Sequence, residues 1–301
     1  MKLSNIPEVK IICDSISESG SRLTTFQLKY QRFIHAEFMT HRAFSRNASS
    51  SRAIPVKKML NMVRTEPASP IHWGQNQAGM QAEHELSEET KAKVQALWLK
   101  AAQNAADIAE EMEALNAHKQ VVNRILEPFQ WINVVMTTSY IQNYWDLRCH
   151  PDAQPEIKVL AEMMHNQYQE AVPQILKYDE FHLPYIHEEE KTKYPLEDLI
   201  KFSVSRCARV SYLNHDQSQP NQEKDLNLYD GLVGSDPLHA SPTEHQARPS
   251  EGSEYVCDKG NIDAYHGNFS PDWLQYRKFI EKKEESFFSY INYKQSILSK
   301  E

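Results

Sequence analysis

Glycine is scarce in this sequence, and none of its eight glycines falls into a GxGxxG, GxxxxGKS or GxxxxGKT motif. A bound nucleotide or dinucleotide must therefore be held by side chains, because the glycine-rich turn that cradles phosphates is missing. No two cysteines are close enough in sequence to form a CxxC pair. The four cysteines are Cys13, Cys149, Cys207 and Cys257. Their spacing argues against a zinc site and against a disulfide framework, so we expect no bound metal.

Long apolar runs and excess positive charge are also absent. No run approaches the length of a membrane-spanning helix, and the segment MKLSNIPEVK lacks the apolar core of a signal peptide. We therefore expect a cytoplasmic protein with no membrane partner. The net charge of −8 argues against a surface built for nucleic acid, although a local basic patch is compatible with it. With 40% hydrophobic and 25% charged residues, the composition is that of an ordinary globular protein.

Residue periodicity predicts a mixture of strands and helices. Alternation predicts two early strands, and spacings of three and four predict the helices, the longest of them capped by Ser87. The predicted elements are strands over 9–15 and 23–30, and helices over 33–39, 88–115, 131–148, 155–171 and 226–233. The segment FSVSRCARVSY, residues 202–212, is predicted as a strand or a short buried element.

The stretch THRAFSRNASSSRAIP, Thr40 to Pro55, concentrates basic and hydroxyl side chains in one place. Arginine guanidinium groups match phosphate oxygens bidentately, and hydroxyls add short hydrogen bonds to the same group. The stretch therefore predicts an anion site, with a solvated basic loop and a nucleic-acid contact as the alternatives. Nothing in the sequence supplies an aligned general base for Ser50, so we assign the serines to hydrogen bonding rather than to nucleophilic attack.

The spacing His-Arg-x-x-Ser-x-Asn-x-x-Ser-x-Arg, from His41 to Arg52, resembles the signature of the flavin-dependent thymidylate synthase family. Other segments resemble further motifs of that family. They are Arg-Ile-Leu-x-Pro from Arg124, Asn143 with Leu-Arg at 147–148, Ala-Gln-x-Glu-Ile from Ala153, RCARVSY from Arg206, and HASPTEHQA from His239. Together the resemblance covers residues 23–171 and 202–247.

The order of these motifs differs from the usual one. The last two ordinarily precede the His-Arg stretch, whereas here they follow it. We therefore expect a circularly permuted arrangement, in which residues 202–247 fold back beside the first strands and complete the same site. The resulting division is a flavin- and nucleotide-binding core over 1–194, a permuted segment of the same domain over 195–249, and a C-terminal extension of unknown role over 250–301.

The resemblance implies an α+β fold, in which a curved and mostly antiparallel sheet packs against long helices. Family members are homotetramers whose flavin sites are shared between subunits, so it also implies a homo-oligomer here. The implied reaction is methylation of dUMP to dTMP at C5. FAD and NADPH serve as cofactors, and methylenetetrahydrofolate is the carbon donor.

Arg148 matches the family arginine that faces the pyrimidine, so the resemblance assigns it both catalysis and substrate binding. A guanidinium is always charged and offers planar donors, which would stabilise negative charge at ring N3 and O2. The resemblance also implies residues that bind the substrate and residues that bind the cofactor. The substrate positions are Glu37, Thr40, Ser49, Ser50, Ser51, Arg52 and Arg124. The cofactor positions are His41, Arg42, Ala43, Asn47, Asn143, His239 and Ser241.

Four positions depart from the family pattern. Thr40 replaces an arginine, Glu37 a glutamine, Ala48 a glutamate and Ala53 a tyrosine. These changes remove a positive charge and add a negative one, so the identity of the pyrimidine substrate stays open, with dCMP and UMP as alternatives to dUMP. Glu37 bears on dCMP, because a carboxylate can accept a hydrogen bond from the amine of cytosine. A non-catalytic nucleotide- or RNA-binding protein on the same fold is the alternative from another class. Arg148 argues against it, since a pure binder needs no charge aimed at the ring.

Overall fold

The computed structural model describes residues 3–81, 83–211, 221–236, 238–250 and 263–281. The strands are β1 (Glu8–Ser17), β2 (Arg22–Gln31), β3 (Ser45–Ala48), β4 (Trp131–Thr138), β5 (Gln174–Leu176), β6 (Ala247–Pro249) and β7 (Trp273–Gln275). The helices are α1 (His35–Phe38), α2 (Val56–Thr65), α3 (Glu88–Ala114), α4 (Lys119–Val122), α5 (Gln142–Arg148), α6 (Pro155–Glu170), α7 (Glu188–Lys191), α8 (Leu196–Ala208), α9 (Gln222–Val233), α10 (Asp263–His266) and α11 (Tyr276–Glu281). Short 3₁₀ helices cover Arg32–Ile34, Asn123–Phe129, Arg209–Ser211 and Ser241–Glu244. No helix within these ranges is both long and apolar enough to cross a membrane.

One sheet organises the first half of the chain, with strand order β3-β4-β2-β1-β5. Its pairs are antiparallel except for β1 with β5. The register of β1 shifts between Ile11 and Cys13, an irregularity of the kind that bends a strand. The 16-residue helix α6 packs against β1 and β2, and the 27-residue helix α3 packs against α2 and the 3₁₀ helix Asn123–Phe129. The predicted α+β class, a mostly antiparallel sheet against long helices, is confirmed.

The two early strands and the long helix were correctly predicted. Ser87 is the N-cap of α3, and its hydroxyl accepts from the Thr90 backbone N–H. The helix predicted over 131–148 is wrong in its first half, because Trp131–Thr138 forms β4 and only Gln142–Arg148 is helical. The first six residues of β4, WINVVM, are apolar except for Asn133, because other parts of the chain cover β4 on both faces. Such a run has no alternation that could separate a strand from a buried helix.

Two further helices differ from the sequence analysis. The segment from Phe202, predicted as a strand or a short buried element, belongs to α8 and continues into the 3₁₀ helix Arg209–Ser211; Tyr212 lies outside the described residues. Helix α2 was not predicted at all. Its buried residues Val56, Met59, Leu60 and Val63 do follow helical spacing directly after Pro55.

One face of the sheet is apolar and brings the early chain against α5. Phe26, Leu28 and Tyr30 of β2 point to the same side because they are two residues apart. They form one buried cluster with side chains of β4, α1, α5 and α6. This packing holds the segment after α1 close to α5, although the two are about a hundred residues apart in the chain.

The opposite face is polar where the C-terminal half of the chain covers it. Thr25 Oγ1 is hydrogen-bonded to Thr137 Oγ1 and to His182 Nε2, each at 2.7 Å. The chain of hydrogen bonds continues from Thr137 to His245 Nδ1 at 2.8 Å and from His182 Nδ1 to Ser15 at 2.8 Å. All five residues are buried. Their mutual hydrogen bonds offset the cost of removing these polar groups from water.

Helices α8, α9 and α11 share a second apolar cluster, and a buried ion network lies at its edge. Arg206 donates to both carboxylate oxygens of Glu190 and, at 2.9 Å, to Asp225. Arg209 NH1 lies 2.6 Å from the same aspartate. Asp225 is fully buried and balances the charge of the buried Arg206 away from water, while the second guanidinium, that of Arg209, is partly exposed.

Asp225→Ala should therefore lower the free energy of unfolding by about 3 kcal/mol, because it removes a negative charge that pairs with the buried Arg206 and with Arg209. Urea denaturation measures the change, and Asp230→Ala on the exposed side of α9 is the control, with an expected change below about 0.5 kcal/mol. Equal effects of the two substitutions would contradict a structural role for the ion network.

Candidate functional site

A cavity of about 530 Å³ opens between the segment after α1 and helix α5. This volume is typical of sites for small organic ligands. Its lining combines apolar, aromatic and cationic side chains. The lining residues are Thr40, His41, Arg42, Ala43, Phe44, Ser139, Tyr140, Ile141, Gln142, Asn143, Tyr144, Trp145, Leu147, Arg148, Tyr168 and Gln169. Six of the predicted ligand positions thus meet here: Thr40, His41, Arg42, Ala43, Asn143 and Arg148.

Hydrogen bonds from Arg46 hold the segment after α1, residues 39–44, in place. Its NH1 group donates to the carbonyls of Phe38, Met39 and His41 at 3.4, 3.1 and 3.0 Å. Carbonyls at the end of a helix lack intrahelical partners, so a guanidinium satisfies them well. Phe44 then anchors the other end of the segment in the core. The cavity wall between these two points is therefore held in place by both polar and apolar contacts.

Arg148 ends α5 and is held by three side chains from the segment around α1. Its Nε donates to His41 Nε2 at 2.9 Å, and its NH1 donates to Glu37 Oε1 in an ion pair. Its NH2 lies 3.5 Å from Thr40 Oγ1. One donor of each guanidinium nitrogen is engaged in this way, which orients the plane and leaves the other N–H groups for a ligand. Thr40 and Glu37, which depart from the family pattern, both contact the predicted catalytic arginine.

His41 is a neutral acceptor in this arrangement. Burial, together with the positive charges of Arg148 and Arg46, lowers its pKa to about 4. Since Nε2 accepts from a guanidinium that is always protonated, the single proton of the ring must be on Nδ1. The ring also lies edge-on to Tyr144, with ring centres 4.8 Å apart. His41 therefore orients Arg148 without adding charge to the cavity.

Arg42 and Asn143 are exposed on the cavity wall, and neither side chain has a hydrogen-bond partner among the described residues. Three tyrosines, which the sequence analysis did not single out, add aromatic surface: Tyr140, Tyr144 and Tyr168. Tyr140 lies just before α5 and Tyr144 lies in its first turn, so no helical spacing in the sequence could have linked them. The hydroxyl of Tyr144 is buried with no partner inside the described ranges.

The serine-rich end of the motif lies elsewhere. Residues Ser49 to Arg52 and Arg124 are not part of the cavity lining. The hydroxyl of Ser49 accepts from the Asn133 backbone N–H at 3.0 Å and thereby holds the end of β3 to β4. Ser50 is half-buried, and Arg52 is exposed with no partner among the residues that are described.

Near this serine-rich end, the carboxylate of Glu127 contacts one hydroxyl and two guanidinium groups. Ser51 Oγ donates to Glu127 Oε1 at 2.9 Å, while Arg32 NH2 and Arg124 NH1 lie 3.1 and 3.7 Å from the same oxygen. The structure thus brings Ser51 and Arg124 together, as one anion site requires. Glu127 is the anion that they currently share.

The two C-terminal motifs, which begin at Arg206 and His239, contact the His-Arg motif at β3. Ser241 Oγ donates to Asn47 Oδ1 at 3.4 Å, and Asn47 Nδ2 donates to the Cys207 carbonyl at 2.7 Å. His239 is exposed, and its backbone N–H donates to the Leu232 carbonyl. Two of the predicted cofactor residues, 194 positions apart in sequence, therefore touch each other.

Acidic, histidine and cysteine side chains do not converge on a metal site in the part of the chain that is described. No group of three or more such residues is placed to hold an ion there.

Comparison with known proteins gives one family and a set of similar solved structures, which includes two of one methylase. The family described as "Thymidylate synthase complementing protein" matches residues 22–174. The UMP/dUMP methylase PolB from Streptomyces cacaoi bound with 5-Br dUMP is 15% identical, with a TM-score of 0.48, over 56% of this chain and 93% of that chain. The same methylase bound with 5-Br UMP is 16% identical, with a TM-score of 0.48, over 56% and 91%. No curated protein matches the sequence.

Proposed function

Because this chain belongs to the family of thymidylate synthase complementing proteins, the flavin-dependent thymidylate synthases, we propose that it methylates a pyrimidine deoxynucleotide at C5, with dUMP converted to dTMP. The family match covers half of the chain and includes every predicted site residue between Glu37 and Arg148. In this proposal methylenetetrahydrofolate is the carbon donor and NADPH is the reductant. When bound, reduced FAD supplies the hydride.

The observation that carries the proposal is a guanidinium held rigidly at the wall of a ligand-sized cavity. Arg148 donates to the pyrimidine edge and stabilises negative charge on N3 and O2 as the ring becomes nucleophilic at C5. His41 and Thr40 keep the guanidinium plane fixed, so little reorganisation is needed as that charge develops. A neutral His41 is important here, because a second cation would compete for the same acceptors.

The residues present fit a flavin. The aromatic walls from Tyr140, Tyr144 and Tyr168 suit a planar ring system, and the buried Tyr144 hydroxyl still has a donor to offer. Arg42, exposed on the cavity wall, would hold an anionic group of the cofactor, and Asn143 would bond a polar ring edge. Asn47 and Ser241, joined to each other beside β3, would complete the cofactor contacts from the permuted segment.

The separation of the two groups of site residues supports a homo-oligomer. The cavity contains Arg148 but none of Ser50, Ser51, Arg52 or Arg124, which would hold the nucleotide phosphate. We propose that a second copy of the chain supplies the phosphate-binding group to this cavity, with a tetramer as the assembly. In the same proposal, residues 1–194 and 195–249 form one domain, and residues 250–301 are an extension of it.

Anaerobic absorbance spectroscopy tests the proposed function. Protein purified with added FAD should show a flavin band that bleaches with NADPH, and dUMP should change the rate of bleaching. Formation of dTMP after addition of methylenetetrahydrofolate would complete the test. Absence of flavin binding, together with salt-dependent RNA binding, would instead support the non-catalytic alternative.

A further inference from the structure

A carboxylate sits against the arginine of the cavity wall. Glu37 accepts from Arg148 NH1 through Oε1, and 32% of its side-chain surface stays exposed. Its Oε2 has no hydrogen-bond partner within the described ranges. An ionised carboxylate can only accept hydrogen bonds, whereas a guanidinium can only donate them. Glu37 is not itself a lining residue of the cavity, but it contacts Arg148, which is. A ligand that bonds Arg148 therefore meets an acceptor directly beside a donor.

We propose, on the basis of the proposed function, that Glu37 is a specificity-determining residue that lets this site bind a pyrimidine with an amino group at ring position 4. A cytosine deoxynucleotide is such a ligand. Its amine is a donor next to the acceptor N3, which is complementary to Glu37 next to Arg148. Uracil has a carbonyl at position 4, so the same placement would set an acceptor against the carboxylate at a cost in affinity.

Glu37 can bond such an amine because of its position beside Arg148. NH1 of Arg148 has a second N–H beside the one that it donates to Glu37. When N3 of the pyrimidine accepts this second N–H, the amine on the adjacent ring carbon lies on the side of Glu37. That amine can then donate to the carboxylate. His41 and Thr40 hold the guanidinium from its other nitrogens, so Arg148 does not depend on Glu37 alone for its position.

Glu37→Gln separates the two functions of the carboxylate. Glutamine keeps a carbonyl acceptor for Arg148 NH1, but it removes the negative charge that favours an amine. Calorimetric titration of the FAD-loaded full chain with dCMP and with dUMP measures both affinities. We expect dCMP to bind the native protein within about tenfold of dUMP, and the substitution to weaken dCMP about tenfold or more. Binding of dUMP should stay as tight or become tighter, because its carbonyl no longer faces a carboxylate. Glu89→Gln on the exposed side of α3 is the matched control and should change neither affinity.

The outcomes separate this inference from the proposed function. Binding of dUMP without measurable binding of dCMP would overturn the role of Glu37 and leave the proposed function standing. Equal weakening of both nucleotides by Glu37→Gln would also overturn it, since the carboxylate would then only position Arg148. Failure of both nucleotides to bind the native protein would overturn the proposed function and the inference together.

Discussion

Arg148→Lys should lower kcat for formation of the methylated nucleotide by about a hundredfold or more. Lysine keeps the positive charge but concentrates it on one ammonium group. That group cannot bond His41, Thr40, Glu37 and the pyrimidine edge at the same time, whereas the planar guanidinium holds the first three and keeps N–H groups for the fourth. The loss should therefore appear mainly in kcat, because the donor acts on charge that develops during the reaction.

The control for this substitution is Arg64→Lys. Arg64 also pairs with carboxylates, Asp107 and Glu110 of α3, but it is not part of the cavity lining. Steady-state kinetics at saturating dUMP should show less than about a twofold change for this variant. A kcat for Arg148→Lys above about a third of the native value would remove Arg148 from the proposed mechanism.

Acidification from pH 7 to pH 5 should lower the free energy of unfolding by about 4 kcal/mol through His182 and His245 alone. Burial lowers the pKa of each imidazole from 6.5 to about 3, and for His182 the proximity of His245 adds to the effect. Below pH 6.5 the unfolded chain therefore binds protons that the folded protein excludes. For each of the two histidines, the free energy of unfolding falls by about 1.4 kcal/mol per pH unit until the pH approaches 3.

His245→Asn tests this expectation, because asparagine can keep the bond that Nδ1 makes to Thr137 and it removes the buried Nε2, which has no partner within the described residues. Urea denaturation at pH 7 and pH 5, at one protein concentration, should show the pH-induced loss reduced by about 2 kcal/mol. The exposed His84→Asn should leave the loss unchanged. If His245→Asn responds to pH like the native protein, burial of His245 is not a source of acid sensitivity.

Local sequence patterns were sufficient wherever neighbours in the chain decide the structure. The alternation of β2 and the serine cap of α3 are of this kind, since each reflects contacts within a few residues. Strand β4 is different, because its two faces are covered by distant parts of the chain: α1, α5 and α6 on one side, and residues such as Cys207 and His245 on the other. An apolar run has the same appearance in a central strand and in a buried helix, so the prediction over 131–148 was wrong in its first half.

The sequence by itself determined the family, the fold class and the residue types that are available for chemistry, because these are carried by motifs of about a dozen residues. Only the tertiary structure decided which of those residues meet. Arg148 reaches Glu37 and His41 across 111 and 107 positions, and Ser51 reaches Glu127 across 76. Such contacts depend on the order of strands in the sheet and on the packing of α5 against it, and neither leaves a periodic signal in the sequence.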